Sequence, residues 1–356
     1  MRGGGECGNP APDPALLAAV QANCDLADAR HAREASLCNY LLGLRELYRW
    51  ESATDDAVVP DRASVIAWIG RRESHWETLL DDQDRDYLPL PIGKGIAPFD
   101  EAAAQAGLAG SGLVYCAGLK RFSQPEFLLA ARTGTRRIND LVVDLVGREY
   151  ARGCNPPLAT YRHGRVTVRT DVVRRWLANR LETVDALNPQ APVSRALASR
   201  SARGDAPSAQ IDALMPAMIE LLVRHESGEH EAGRLLGADW ALMLDSIGDR
   251  RRELVLRAIR DLLADSLVTL PWLLDAAPPA ALHLWWASVD GMRRHLEPAF
   301  APAYDRAIAG DRAPFADLVA ASTPRWLHHA QSLLLAWRQG DVDELARLTA
   351  VADVEA

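Results

Sequence analysis

The chain has 356 residues, 48% of them hydrophobic and 25% charged, with a formal net charge of −8. A single core stops growing at about 250–300 residues, so this length implies two domains, and the ordinary composition excludes a disordered chain. The acidic balance, without any dense Lys/Arg tract, excludes a general nucleic-acid binder, which needs a basic face for phosphate.

Residues 1–14 are rich in Gly and Pro without an apolar core, so they read as a disordered tail and not as a secretory signal. Helical spacing begins near Ala15 and runs past His31. A second helix is predicted from Ser36 to about Trp50, and a third from an Asp61 cap through Trp68 and Trp76 to Leu79. Tyr87 to Phe99 holds three prolines and two glycines and is loop, with a short helix expected after Asp100. Leu113–Tyr115, Phe127–Leu129 and Leu141–Val143 read as strands. Leu158 to Arg169 reads as a hairpin turning at His163-Gly164, and Thr170 caps a helix to about Leu187.

From Asn188 to Ser208 apolar periodicity is lost, which predicts a linker. Everything beyond it is helical. The apolar stretch from Ser266 to Val289 carries Asp275, His283 and Pro278-Pro279. It therefore reads as two buried helices and a turn, not a membrane span. Thr323-Pro324 is expected to open a helix that ends at Gly340, and Asp341 with Glu344 to form a capping box for the last one. The predicted architecture is mainly α, with an N-terminal α+β domain (15–187) carrying a small antiparallel sheet. A linker (188–208) joins it to an all-α domain (209–352).

Five cysteines without a pairing pattern imply reduced thiols and a cytoplasmic protein. All but two of the 40 basic residues are arginine, the exceptions being Lys94 and Lys120, a bias that follows base composition. Gly110-Ser111-Gly112 precedes a strand, whereas a dinucleotide loop follows one. Gly93-Lys94-Gly95 lacks the Ser/Thr of a phosphate loop.

The densest run of chemically active types is Cys24 to His31. On a helix Cys24, Asp28 and His31 form one stripe, which makes Asp28 and His31 a candidate cofactor-binding pair, the carboxylate orienting the imidazole. A buried structural pair gives the same pattern. The blocks Cys24–Ala32, Leu37–Leu42 and Arg45–Glu51 resemble the opening of the Sfum-type bacterial family of unknown function. Leu88–Ile92, Pro98–Asp100, Glu149–Arg152 and Gly291–Arg294 extend the likeness along most of the chain. The resemblance implies a two-part architecture and brings no activity or site residues.

In the C-terminal half, the stripe Ile211, Leu214, Met215, Met218, Leu222 continues into His225 and Glu229, with Glu226 beside it and His230 one turn beyond Glu226. Charge on a face that should be buried requires a partner. His225, Glu226, Glu229 and His230 are accordingly the candidate ligands of a divalent transition metal, with arginine salt bridges as the alternative partner. Gly228, Gly233 and Gly237 are expected to weaken or break this helix. Two functions fit the residues. One is a helical metal- or cofactor-binding protein, enzymatic if the bound group is reactive. The other is a non-catalytic protein that binds a protein or small-molecule partner. Neither involves nucleic acid or membrane.

Overall fold

A computed structural model describes residues 10–54, 58, 60–82, 84–183, 188–200 and 205–350. Most of the predicted tail, residues 1–9, lies outside these, as do 201–204 of the predicted linker. Packing divides the chain into two units. The first is Met1–Arg136, Asp144–Leu158 and Arg169–Arg175; the second is Arg137–Val143, Ala159–Val168 and Trp176–Ala356.

The first unit starts with three helices, α1 (Pro14–His31), α2 (Leu37–Glu51) and α3 (Arg62–Leu80), followed by the short α4 (Glu101–Gly107). Each begins where a side-chain oxygen meets free backbone N–H groups: Asp13, Ser36, Asp61 and Asp100 all accept from their own first turns. Strands β1 (Leu113–Leu119), β2 (Pro125–Ile138), β3 (Leu141–Arg152), β4 (Ala159–Arg162) and β5 (Arg165–Arg169) form a sheet of order β1-β2-β3-β5-β4. The β1–β2 ladder is antiparallel, from Leu113 opposite Ala131 to Leu119 opposite Pro125. Side chains alternate across it. Tyr115, Ala117, Phe127 and Leu129 pack on Leu16, Val20, Cys24 and Ala27 of α1, while Val114, Cys116, Leu128, Ala130 and Val146 fill the opposite face. The β4–β5 hairpin turns at His163 and Gly164 with φ of 49° and 74°, the two positive values that a type I′ turn requires. Inside the first unit Arg169 is buried and donates to Glu149 (2.5 Å) and Glu126 (2.8 Å), so two interior carboxylates share one guanidinium.

The second unit carries most of α5 (Thr170–Thr183), then α6 (Pro192–Ser199), α7 (Pro207–Leu236), α8 (Ala238–Ser246) and α9 (Arg250–Ala264). It closes with α10 (Leu270–Asp275), α11 (Pro279–Ser288), α12 (Gly291–Leu296), α13 (Phe300–Ile308), α14 (Ala313–Gln339) and α15 (Val342–Leu348). Between α9 and α10, Asp265–Thr269 form a π-helical turn in which the Leu270 N–H reaches back to the Asp265 carbonyl. Pro271 follows at once. In an α-helix its ring would collide with the carbonyl four residues earlier, and the wider turn relieves that clash. No helix among the described residues is long and apolar enough to cross a membrane.

Three expectations are corrected here. The stretch 188–208 is not featureless, because α6 buries Val193, Ala196 and Leu197 and packs on α11. Eight residues are too few for periodicity to stand out among the flanking Pro, Ser and Gly. Thr323-Pro324 does not open a helix: Pro324 lies inside α14, whose first turn holds Pro314 instead. Burial of Ser322 and Trp326 on either side keeps the helix going through the missing N–H. Finally, α7 runs unbroken through Gly228 and Gly233 and stops only at Gly237, which has φ 73°.

Candidate functional site

Gly228 is the key to the second unit's chemistry. A Cβ at this position would lie 2.2 Å from the Ala264 carbonyl oxygen, so the absent side chain is what lets α7 press against the end of α9. His225 and Glu229 flank this contact on α7. Asp261 on α9 and Asp265 on the π turn face them. An inserted π residue rotates all that follows by about 100° relative to a regular helix at 3.6 residues per turn.

The polar groups are closely interlocked. His225 Nδ1 lies 2.7 Å from Asp265 Oδ1, while Arg293 of α12 donates to Asp265 Oδ2 at 3.1 Å and to the Ser288 carbonyl at 2.9 Å. His225 Nε2 points the other way, 3.8 Å from Glu229 Oε1, which also accepts from Arg260 at 2.8 Å. One ligand atom each from His225, Glu229 and Asp261 lies within 4.8 Å of the others. Glu226 is only 6% exposed. The site is not sealed, since a fifth of the His225 side chain reaches solvent, at 20% exposure.

Protonation follows from this arrangement. Burial alone would lower the His225 pKa, but the adjoining Asp265 carboxylate outweighs it and pushes the imidazole up to about 10. Asp265, although buried, is held below the usual carboxylate range by His225 and then Arg293. Burial, and next the Glu229 charge, raise both Glu226 and Asp261.

His230 does not join it. One residue on from Glu229, it turns to a different face of α7, where Nδ1 meets the Tyr161 hydroxyl of β4 at 2.7 Å and Nε2 meets Asp140 at 3.2 Å. Of the four candidate ligands, His225 and Glu229 are brought together with Asp261, Glu226 is buried on the same helix, and His230 leaves the set. Asp261, Asp265, Arg260 and Arg293 are the members that sequence reasoning missed. Their signal was available: Asp261 and Asp265 stand one turn apart inside an otherwise apolar run.

Asp28 and His31 are not a pair. Asp28 faces the loop after β3, where its Oδ2 accepts the Cys154 N–H at 2.8 Å and its Oδ1 the Cys154 thiol at 3.3 Å. His31 turns outward to Glu34, 3.1 Å away. Their i, i+3 spacing failed as a guide because a closer backbone donor claims the carboxylate. Burial raises Asp28 to about 6, against the opposing pull of Lys120. Cys24 donates to the Phe127 carbonyl at 3.3 Å, and burial holds both it and Cys154 as thiols. A small pocket lies beside Cys24, Asp28 and Lys120, about 230 Å³ including its open mouth.

Residues 15–169 match the N-terminal domain, and residues 174–354 the C-terminal domain, of a family of unknown function (DUF6866). No curated protein and no solved structure matches the chain.

Proposed function

The chain belongs to this two-domain family, and we propose that its helical domain is a divalent transition-metal site built from His225 Nε2, Glu229 and Asp261. One observation carries the reading. Three ligand atoms converge from two helices while the remaining nitrogen of the histidine is already held by a carboxylate, Asp265. A metal-bound histidine characteristically has such an outer partner, which fixes ring orientation and strengthens the ligand, and the ion would take the place of the proton on His225 Nε2. Around a tetrahedral ion with bonds of ~2.1 Å, ligand atoms stand about 3.4 Å apart, so contraction by roughly 1 Å completes the set. Glu226, buried and one residue beyond His225 on α7, would be a further acidic group near the ion.

Three protein ligands and partial solvent access leave a coordination position for water, as catalytic rather than structural ions require. The ion would supply Lewis acidity there, and Glu226 would hold or take a proton beside it. We also infer that the family is the Sfum-type bacterial one that Cys24–Ala32 resembles. The Arg260–Glu229 bond favours a second reading, in which the cluster is an ion-pair network of a non-catalytic binding protein.

Thermal unfolding separates the two. Zinc at a hundred times its dissociation constant adds about 2.7 kcal/mol to the native state, which for a domain of this size raises Tm by roughly 5–10 °C. That rise should be absent from Glu229→Ala. An equal Tm with and without zinc in the wild-type protein supports the ion-pair network instead.

A further inference from the structure

Apart from the His225 cluster, the second unit gathers three arginines whose charges are left unmatched. Half-buried and buried arginines elsewhere are set against carboxylates: Arg72 against Asp25 (3.0 Å), Arg257 against Glu253 (2.7 Å), Arg260 against Glu229 (2.8 Å) and Arg293 against Asp265 (3.1 Å). Arg180 and Arg195 are half-buried too, and Arg294 is exposed. None of the three forms an ion pair among the described residues. Arg294 donates to the Trp286 carbonyl at 2.7 Å, Arg195 to the Gln190 carbonyl at 2.9 Å, and Arg180 lies over the Trp176 ring at 5.1 Å.

An aromatic stack holds this row in place. The Arg294 guanidinium lies 4.3 Å from the centre of the Trp286 ring. Trp286 in turn stacks on Tyr304, with centroids 5.3 Å apart and planes 25° from parallel, and the Tyr304 hydroxyl is 2.8 Å from His283 Nδ1. Helix α6, which carries Arg195, packs on α11, which carries His283 and Trp286. Burial lowers His283 to about 4 and the Arg195 charge pulls the same way, so the imidazole is neutral at pH 7. At the other end of the stack, burial and next the Arg180 charge lower Arg294. The neighbouring Asp290 is engaged by Arg293, whose N–H it accepts at 2.9 Å.

Like charges assembled without a counter-charge repel, and a bound anion relieves that repulsion. Guanidinium forks match phosphate oxygens two at a time. Arg195 stands at the Tyr304 end of the stack, and Arg180 with Arg294 at the Trp286 end, so two linked phosphates suit the row better than one. We propose that Arg180, Arg195 and Arg294 bind a small ligand through two linked phosphate groups laid along the Trp286–Tyr304 stack.

Isothermal titration of the intact protein with inorganic pyrophosphate, with no divalent ion added, tests this. Micromolar binding is expected, at least about tenfold weaker in Arg180→Gln/Arg294→Gln and for orthophosphate. It should be unchanged in Arg338→Gln, which removes an exposed arginine of α14. On the wild type alone, pyrophosphate should shield Arg180, Arg195 and Arg294 from phenylglyoxal while Arg338 reacts as before, a readout that needs no variant to fold. The absence of binding at about 1 mM pyrophosphate, equal affinity in the double variant, binding no tighter than that of orthophosphate, or no shielding of the three arginines overturns the proposal.

Discussion

Burial governs the behaviour of Asp28, and with it one pH dependence of the fold. Its carboxyl is raised from 3.8 to about 6, so the folded chain holds this proton more tightly than the unfolded chain does. The contribution to stability is then fully present below about 3.8 and is lost as pH rises through about 6. Two pKa units correspond to at most about 3 kcal/mol, and ~2 kcal/mol is a realistic share. Asp28→Asn keeps an acceptor for the Cys154 N–H and removes the titration. Urea unfolding of the wild type should therefore weaken by that amount between pH 4 and pH 7 relative to the variant; parallel curves would contradict the assignment. At this scale the sequence was half legible. Asp28 stood out as a polar residue on a buried stripe, but its partner lies 126 residues away and no local spacing points to Cys154. His225 and Glu229 were legible for a simpler reason: an apolar stripe ran straight into them, and buried charge demands company.

At the scale of elements, what was readable was what is local. Helix starts at Ser36, Asp61, Asp100 and Asp341 follow from side chains that cap their own first turns, and the β4–β5 hairpin follows from His163-Gly164. What escaped depends on neighbours in space. The π turn at Asp265–Thr269, the passage of α14 through Pro324 and the buried face of α6 are each held by packing that their own residues do not encode. Gly228 belongs with these. By propensity its replacement with alanine should strengthen α7 by about 1 kcal/mol. The Ala264 carbonyl lies 2.2 Å from the new methyl position, and backbone cannot step aside cheaply. Gly228→Ala should instead destabilise by about 1–3 kcal/mol or more, as overpacking does. A denaturation midpoint at or above the wild-type value would show that α7 and α9 do not approach as described.

For the molecule as a whole, length alone implied two domains, and the family match divides the chain into 15–169 and 174–354. Packing draws the division differently in one place: the hairpin 159–168 and the turn 137–143 belong with the helical unit, where β4 contacts α7 through Tyr161 and His230. Sequence order could not reveal that, because the hairpin follows the other strands without a break, and this is also why His230 looked like a ligand. We propose that His225, Glu229 and Asp261 of the helical unit bind a divalent ion. Elemental analysis of protein purified without a histidine tag or chelator tests it most directly, with the His225→Ala/Glu229→Ala double variant alongside. Close to one divalent transition-metal ion per wild-type chain is expected, and almost none in the variant. Metal far below one per chain in the wild type, or equal occupancy in the two proteins, would contradict it.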